Sequence, residues 1–123
     1  MRTVLIVEDT DLCSEALEVA LTRIPNIEIR NVETAEDALA FLAVVDVCAI
    51  VTDLQLPSMS GFDLIEAVRS RATTRLLPLL VVSADTDPRT PARLSSLGVD
   101  AYFPKPYSPA EIRSKLEQLI NAA

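Results

Sequence analysis

The chain has 123 residues, half of them hydrophobic, with 18 acidic against 11 basic side chains and a net charge of −7. That length suits one domain with one core, and the negative balance repels phosphate backbones, which argues against direct nucleic-acid binding. There is no His, so the commonest general base and the commonest transition-metal ligand are both missing, and catalytic triads and zinc sites are disfavoured.

The N-terminal "MRTVLIVEDT" lacks the long apolar region and small-residue cleavage site of a signal peptide, and no apolar run approaches the ~20 residues needed to cross a bilayer. The expectation is a soluble, cytoplasmic protein without membrane contact. The first strand is predicted over "TVLIV" (3–7), followed by a helix whose apolar stripe is Cys13, Ala16, Leu17, Ala20, Leu21 and Ile24. "IEIRNV" (27–32) reads as a second strand, then Ala35, Ala38, Leu39 and Leu42 mark a second helix. "VCAIV" (47–51) is the third strand, and Leu64, Ile65 and Val68 the third helix. "LLVVS" (79–83) is the fourth strand; a helix with Leu94 and Leu97 follows, opened by the Asp87–Pro88 cap signal and closed by Gly98 in the left-handed position. "AYF" (101–103) is the fifth strand, and "SPAE" (108–111) starts the last helix with Ser108 as N-cap, Pro109 at the first helical position and Glu111 closing a capping box. Ile112, Leu116, Leu119 and Ile120 give that helix its apolar face.

Strands that are continuously apolar and alternate with helices imply a parallel sheet covered on both faces, an α/β sandwich occupying residues 1–123 as one domain. Cys13 and Cys48 read as buried thiols without a function. In a parallel sheet, residues that follow different strands meet along one edge. Here they are Glu8 and Asp9 after strand one, Asp53 after strand three, Ser83 at the end of strand four and Lys105 after strand five. Crowded carboxylates favour a hard cation with oxygen ligands, for which Mg2+ fits best. Lys105 in addition suggests a bound anion, which a phosphoryl group supplies; Asp53 can then act as a nucleophile on phosphorus, with Lys105 and the Ser83 hydroxyl on the transferring oxygens.

These residues resemble the receiver domain of bacterial two-component response regulators over essentially the whole chain: the acidic pair Glu8–Asp9, Asp53 with Pro57 and Gly61 behind it, Ser83 followed by Ala84, and Lys105–Pro106. The resemblance implies a doubly wound, flavodoxin-like sheet of order 2-1-3-4-5 with five helices, and Asp53 as phosphoacceptor. It also implies Mg2+ held by Asp9 directly, Glu8 through water, Asp53 and the backbone carbonyl of Gln55. Ser83 and Lys105 would contact the phosphoryl group, and Tyr102 would be an aromatic switch that turns inward when Ser83 moves. A cis Lys105–Pro106 bond is implied as well. Pro57 and Gly61 read first as loop geometry, Pro fixing φ and Gly permitting positive φ. Asp85, two residues past Ser83, resembles a position that tunes phosphoryl lifetime, although a solvated loop acid accounts for it as well.

By the same resemblance the phosphoryl donor is a phosphohistidine on a histidine kinase or histidine phosphotransfer protein, and the chain catalyses nothing beyond its own phosphorylation and dephosphorylation. The fourth helix, fifth strand and fifth helix would form the output face, open to an effector or a second copy. Three other readings compete. A receiver-like scaffold would work by contacts alone, with phosphorylation lost. An Asp-nucleophile, Mg2+-dependent phosphatase wants a second acid two residues after the nucleophile, where this chain has Gln55. A flavin-binding module would need a Ser/Thr-rich loop after strand one, which is missing.

Overall fold

A computed structural model describes residues 2–9 and 11–121, with Asp11–Ser14 described in backbone only. The side chain of Cys13, assigned above to the first helical stripe, therefore lies outside the described residues. Five strands and five helices alternate along the chain: β1 (Arg2–Val7), α1 (Asp11–Leu21), β2 (Ile27–Val32), α2 (Ala35–Val44), β3 (Ala49–Asp53), α3 (Gly61–Ser70), β4 (Leu79–Ser83), α4 (Thr90–Ser96), β5 (Ala101–Pro104) and α5 (Pro109–Asn121). All strand pairs are parallel and the sheet order is β2-β1-β3-β4-β5, the doubly wound arrangement expected.

The period of two along each strand sorts the core into two layers. Val4 and Ile6 of β1, Ala49 and Val51 of β3, and Leu80 and Val82 of β4 pack with Leu17, Leu21, Ile112, Leu116 and Ile120 of α1 and α5. Leu5 and Val7, Ile50, Leu79 and Val81 face the other way, against Ala35, Ala38, Leu64, Ile65, Val68 and Leu94 of α2, α3 and α4. The three central strands are buried along nearly their whole length, as a parallel sheet covered on both sides requires. β2 departs from that pattern. It pairs only with β1, every residue is at least partly exposed, and Glu28 and Arg30 form an ion pair of 2.8 Å on its open side. Charges of this kind blunt an edge strand against further pairing.

Several expected boundaries move. β3 runs over Ala49–Asp53 rather than 47–51, because pairing with β4 continues to Asp53↔Val82 while Val47 and Cys48 precede the register. Cys48 is accordingly half-buried rather than buried. α4 begins at Thr90, beyond the Asp87–Pro88 signal. Asp87 instead closes a turn, its carbonyl accepting from Thr90 N at 3.1 Å and its carboxylate from Arg89 N at 2.9 Å. Ala16 is exposed, at the margin of the α1 stripe. Gly98 does take a positive φ of 81° behind α4, and Ser108 Oγ accepts from Glu111 N at 3.4 Å at the start of α5.

Candidate functional site

The parity that divides the core also divides the carboxyl edge of the sheet. Glu8 and Asp53 continue the alternation of Val4 and Ile6 and of Ala49 and Val51, on the α1/α5 side. Lys105 follows Ala101 and Phe103 on that same side. The three side chains consequently meet: Lys105 Nζ donates to Asp53 Oδ2 at 2.6 Å and to Glu8 Oε2 at 3.1 Å. Glu8 and Asp53 are only 4% and 3% exposed. Burial alone would lower the pKa of Lys105, but hydrogen bonds and charge from Asp53, and then Glu8, overcome this and hold it above the ordinary lysine value.

The loop behind β3 is shaped around Asp53. Asp53 Oδ1 accepts from Gln55 N at 2.9 Å, which turns the chain sharply after the strand. Ser58, one residue past Pro57, takes the positive φ of 67° that the turn needs. Gly61 serves a different purpose from the one expected. It heads α3 with its N–H donating to Leu54 O at 2.9 Å, and a Cβ there would stand 2.3 Å from Asp53 O and 2.5 Å from Leu54 Cα. Close backbone approach rather than positive φ therefore demands glycine. The Lys105–Pro106 peptide bond is cis, and Lys105 N donates to Ser83 O at 2.7 Å.

Ser83 and Tyr102 have the opposite parity and lie toward the α3/α4 side. Ser83 is fully buried, and its Oγ accepts from Asp85 N at 3.1 Å. Tyr102 packs against the α2–α4 layer and its hydroxyl donates to Asp85 O at 3.2 Å. Burial, then the charges of Asp85 and Asp53, push the Tyr102 phenol above its ordinary pKa. Asp85 is thus no solvated loop acid. Its carboxylate accepts from Asp87 N at 2.8 Å and from Thr90 Oγ1 at 2.9 Å, so it ties Ser83, Tyr102 and the start of α4 together. The signal for it was present in "SADTDPR", where a Ser or Asp at every second position can each accept the N–H two residues on.

Asp9 is exposed just after Glu8, so of the three carboxylates expected to converge two, Glu8 and Asp53, meet around Lys105. Among the described residues no three acidic side chains stand together as a ready-made metal cluster. The donor set nevertheless fits a hard cation: Asp53 is buried at the edge, Asp9 is exposed directly after Glu8 in the chain, and the Gln55 carbonyl follows on the turn that Asp53 closes.

The family model of the response regulator receiver domain matches residues 4–117. The chain belongs to this family. Among similar proteins, the transcriptional regulatory protein GltR of Pseudomonas aeruginosa is 29% identical over 99% of this chain, which spans 50% of GltR. The chemotaxis protein CheY-3 of Vibrio cholerae is 27% identical, over 95% of this chain and 90% of CheY-3. The two-component response regulator ORR13 of rice is 33% identical, over 89% of this chain and 90% of its own length. A response regulator receiver protein from Pseudomonas putida superposes with a TM-score of 0.82 at 31% identity, covering 99% of this chain and 97% of that one. CheY4 of Vibrio cholerae, at 24% identity, shares the fold of this receiver domain with a TM-score of 0.85 over 97% of this chain and 98% of its own. No helix among the described residues of the receiver domain is long and apolar enough to cross a membrane.

Proposed function

We propose that this receiver domain is a phosphoacceptor: Asp53 takes a phosphoryl group from a phosphohistidine on a histidine kinase or phosphotransfer protein, in an Mg2+-dependent reaction that alters the α4/β5/α5 surface. The observation that carries this reading is the buried contact of 2.6 Å between Lys105 Nζ and Asp53 Oδ2. A lone cation between two buried carboxylates is well placed to pass to the oxygens of an incoming anion.

In the transfer, Asp53 Oδ forms a bond to phosphorus as the P–N bond of the donor imidazole breaks, and the ring nitrogen leaves with the electron pair. Lys105 follows the negative charge onto the phosphoryl oxygens. Ser83 Oγ already accepts from Asp85 N, so its own proton is available to a phosphoryl oxygen. Asp9, Asp53 and the Gln55 carbonyl would hold Mg2+, with Glu8 acting through water. The ion supplies charge neutralisation between the carboxylates and the phosphoryl group.

Incubation with Mg2+ and acetyl phosphate should add one phosphoryl group to the chain, read by intact mass, and peptide mapping should place it on Asp53. Asp53→Asn, or a chelator, should abolish it. A chain that stays unmodified under these conditions would instead be a scaffold working through surface contacts.

A further inference from the structure

A second group of charges lies outside the Lys105 pocket. Phe62 of α3, Asp85, Asp87 and Arg89 of the loop after β4, and Thr90 and Arg93 of α4 line an open cavity of about 290 Å3. That is close to the lower end of the roughly 300–1,000 Å3 usual for small-molecule sites, so an occupant must be small. Two guanidinium groups and two carboxylates face this space, and they differ in how far they are already neutralised.

Arg89 and Asp87 neutralise each other through two bonds, Nε to Oδ1 at 3.1 Å and Nη2 to Oδ2 at 2.9 Å. Arg93 is held differently. Its guanidinium carbon stands 3.7 Å from the centroid of the Phe62 ring, and a guanidinium stacked in this way is fixed by the ring while its N–H donors, which lie in its own plane, stay available. Among the described residues no carboxylate forms an ion pair with it. Asp85 is its counterpart. Oδ1 of Asp85 accepts from Asp87 N at 2.8 Å and Oδ2 from Thr90 Oγ1 at 2.9 Å, which orients the carboxylate and leaves each oxygen able to accept once more. Asp85 likewise has no ion-pair partner among the described residues. One cation and one carboxylate therefore face the same cavity without meeting each other, and a molecule that carries both charges satisfies both.

We propose that this cavity binds a small amino-acid zwitterion, with its carboxylate on the in-plane donors of Arg93, its ammonium on Asp85 and its carbon chain beside the Phe62 ring. A singly charged ligand fits less well. A lone anion would bring a further negative charge up to Asp85, in a chain whose net charge is already −7, and a lone cation would face Arg93. The zwitterion adds no net charge, and the planar fork of Arg93 supplies the directional contact to its carboxylate. The site stands apart from Asp53 and Lys105 and does not depend on the phosphoacceptor reading.

Amide chemical shifts of the full chain, titrated with glycine, β-alanine and 4-aminobutanoate without Mg2+, test this, and the series reads the spacing between the two charges. At least one of the three should give saturable shifts at residues 62–63 and 85–93, with a Kd on the order of 1 mM for two solvent-exposed, charge-assisted contacts. Acetate and ethylammonium, which carry one charge each, should bind about tenfold more weakly or less. Arg93→Gln should weaken the preferred zwitterion by about tenfold. Arg93→Lys, which keeps the charge but loses the planar fork, should fall between Arg93→Gln and the parent. Asp85→Asn should weaken the zwitterion as Arg93→Gln does, and if that variant does not fold, the comparison with acetate decides the part played by the ammonium. No saturable shift from any of the three at about 10 mM, ten times the expected Kd, overturns the proposal. So does acetate binding as tightly as the zwitterions, which would mark a plain anion site, or an unchanged affinity in Arg93→Gln.

Discussion

Removing Lys105 should harm the fold more than removing either acid it holds. The pocket contains one ammonium and two carboxylates, Glu8 and Asp53, at 3.1 and 2.6 Å from Nζ. Lys105→Met leaves two buried carboxylates facing each other, whereas Asp53→Asn or Glu8→Gln leaves a one-to-one ion pair and removes a repulsion. Breaking a buried pair by deleting one partner costs about 3–5 kcal/mol. Because the Lys105 side chain is 20% exposed, the lower end applies, so Lys105→Met should lose about 3 kcal/mol, or roughly 10–15 °C in melting temperature at this chain length. Asp53→Asn and Glu8→Gln should each stay within about 1 kcal/mol of the parent. Urea and thermal unfolding at neutral pH with a chelator present would measure all three. An acid variant that loses as much stability as Lys105→Met would refute the charge accounting.

Gly61→Ala pushes a methyl group against the backbone of Asp53 and Leu54, so it should cost about 3 kcal/mol in urea unfolding and slow phosphoryl uptake at Asp53. Thr34 caps α2 by accepting from Asp37 N at 3.0 Å, and Thr34→Ala should cost about 1 kcal/mol without affecting uptake. Burial raises the Cys48 thiol pKa against the smaller opposing charge of Arg2. The folded thiol thus keeps its proton to higher pH than the unfolded one, a contribution to stability that is present below the unfolded pKa and lost as pH rises through the folded one. Iodoacetamide alkylation of Cys48, followed by peptide mapping, should therefore show a higher midpoint pH in the folded chain than in urea, and coincident midpoints would contradict the burial argument.

The order and type of the elements were legible because period-two and period-3.6 patterns are local properties of the chain. The edge residues were legible because a parallel sheet brings every strand end to one side. Glu8, Asp53, Ser83 and Lys105 could be named on that ground alone. Which of them touch was a different matter. The parity of each strand relative to its neighbours sends Glu8, Asp53 and Lys105 to one side and Ser83 and Tyr102 to the other, and parity is fixed by pairing register rather than by composition. Asp85 was legible only as far as the alternate Ser and Asp residues of "SADTDPR" went, and Arg69 carries no signal in the sequence, since the groups it holds, Gly98 O, Leu77 O and Arg75 O, are backbone carbonyls. Only the packed positions of α3, α4 and the loops beside them bring those partners within reach.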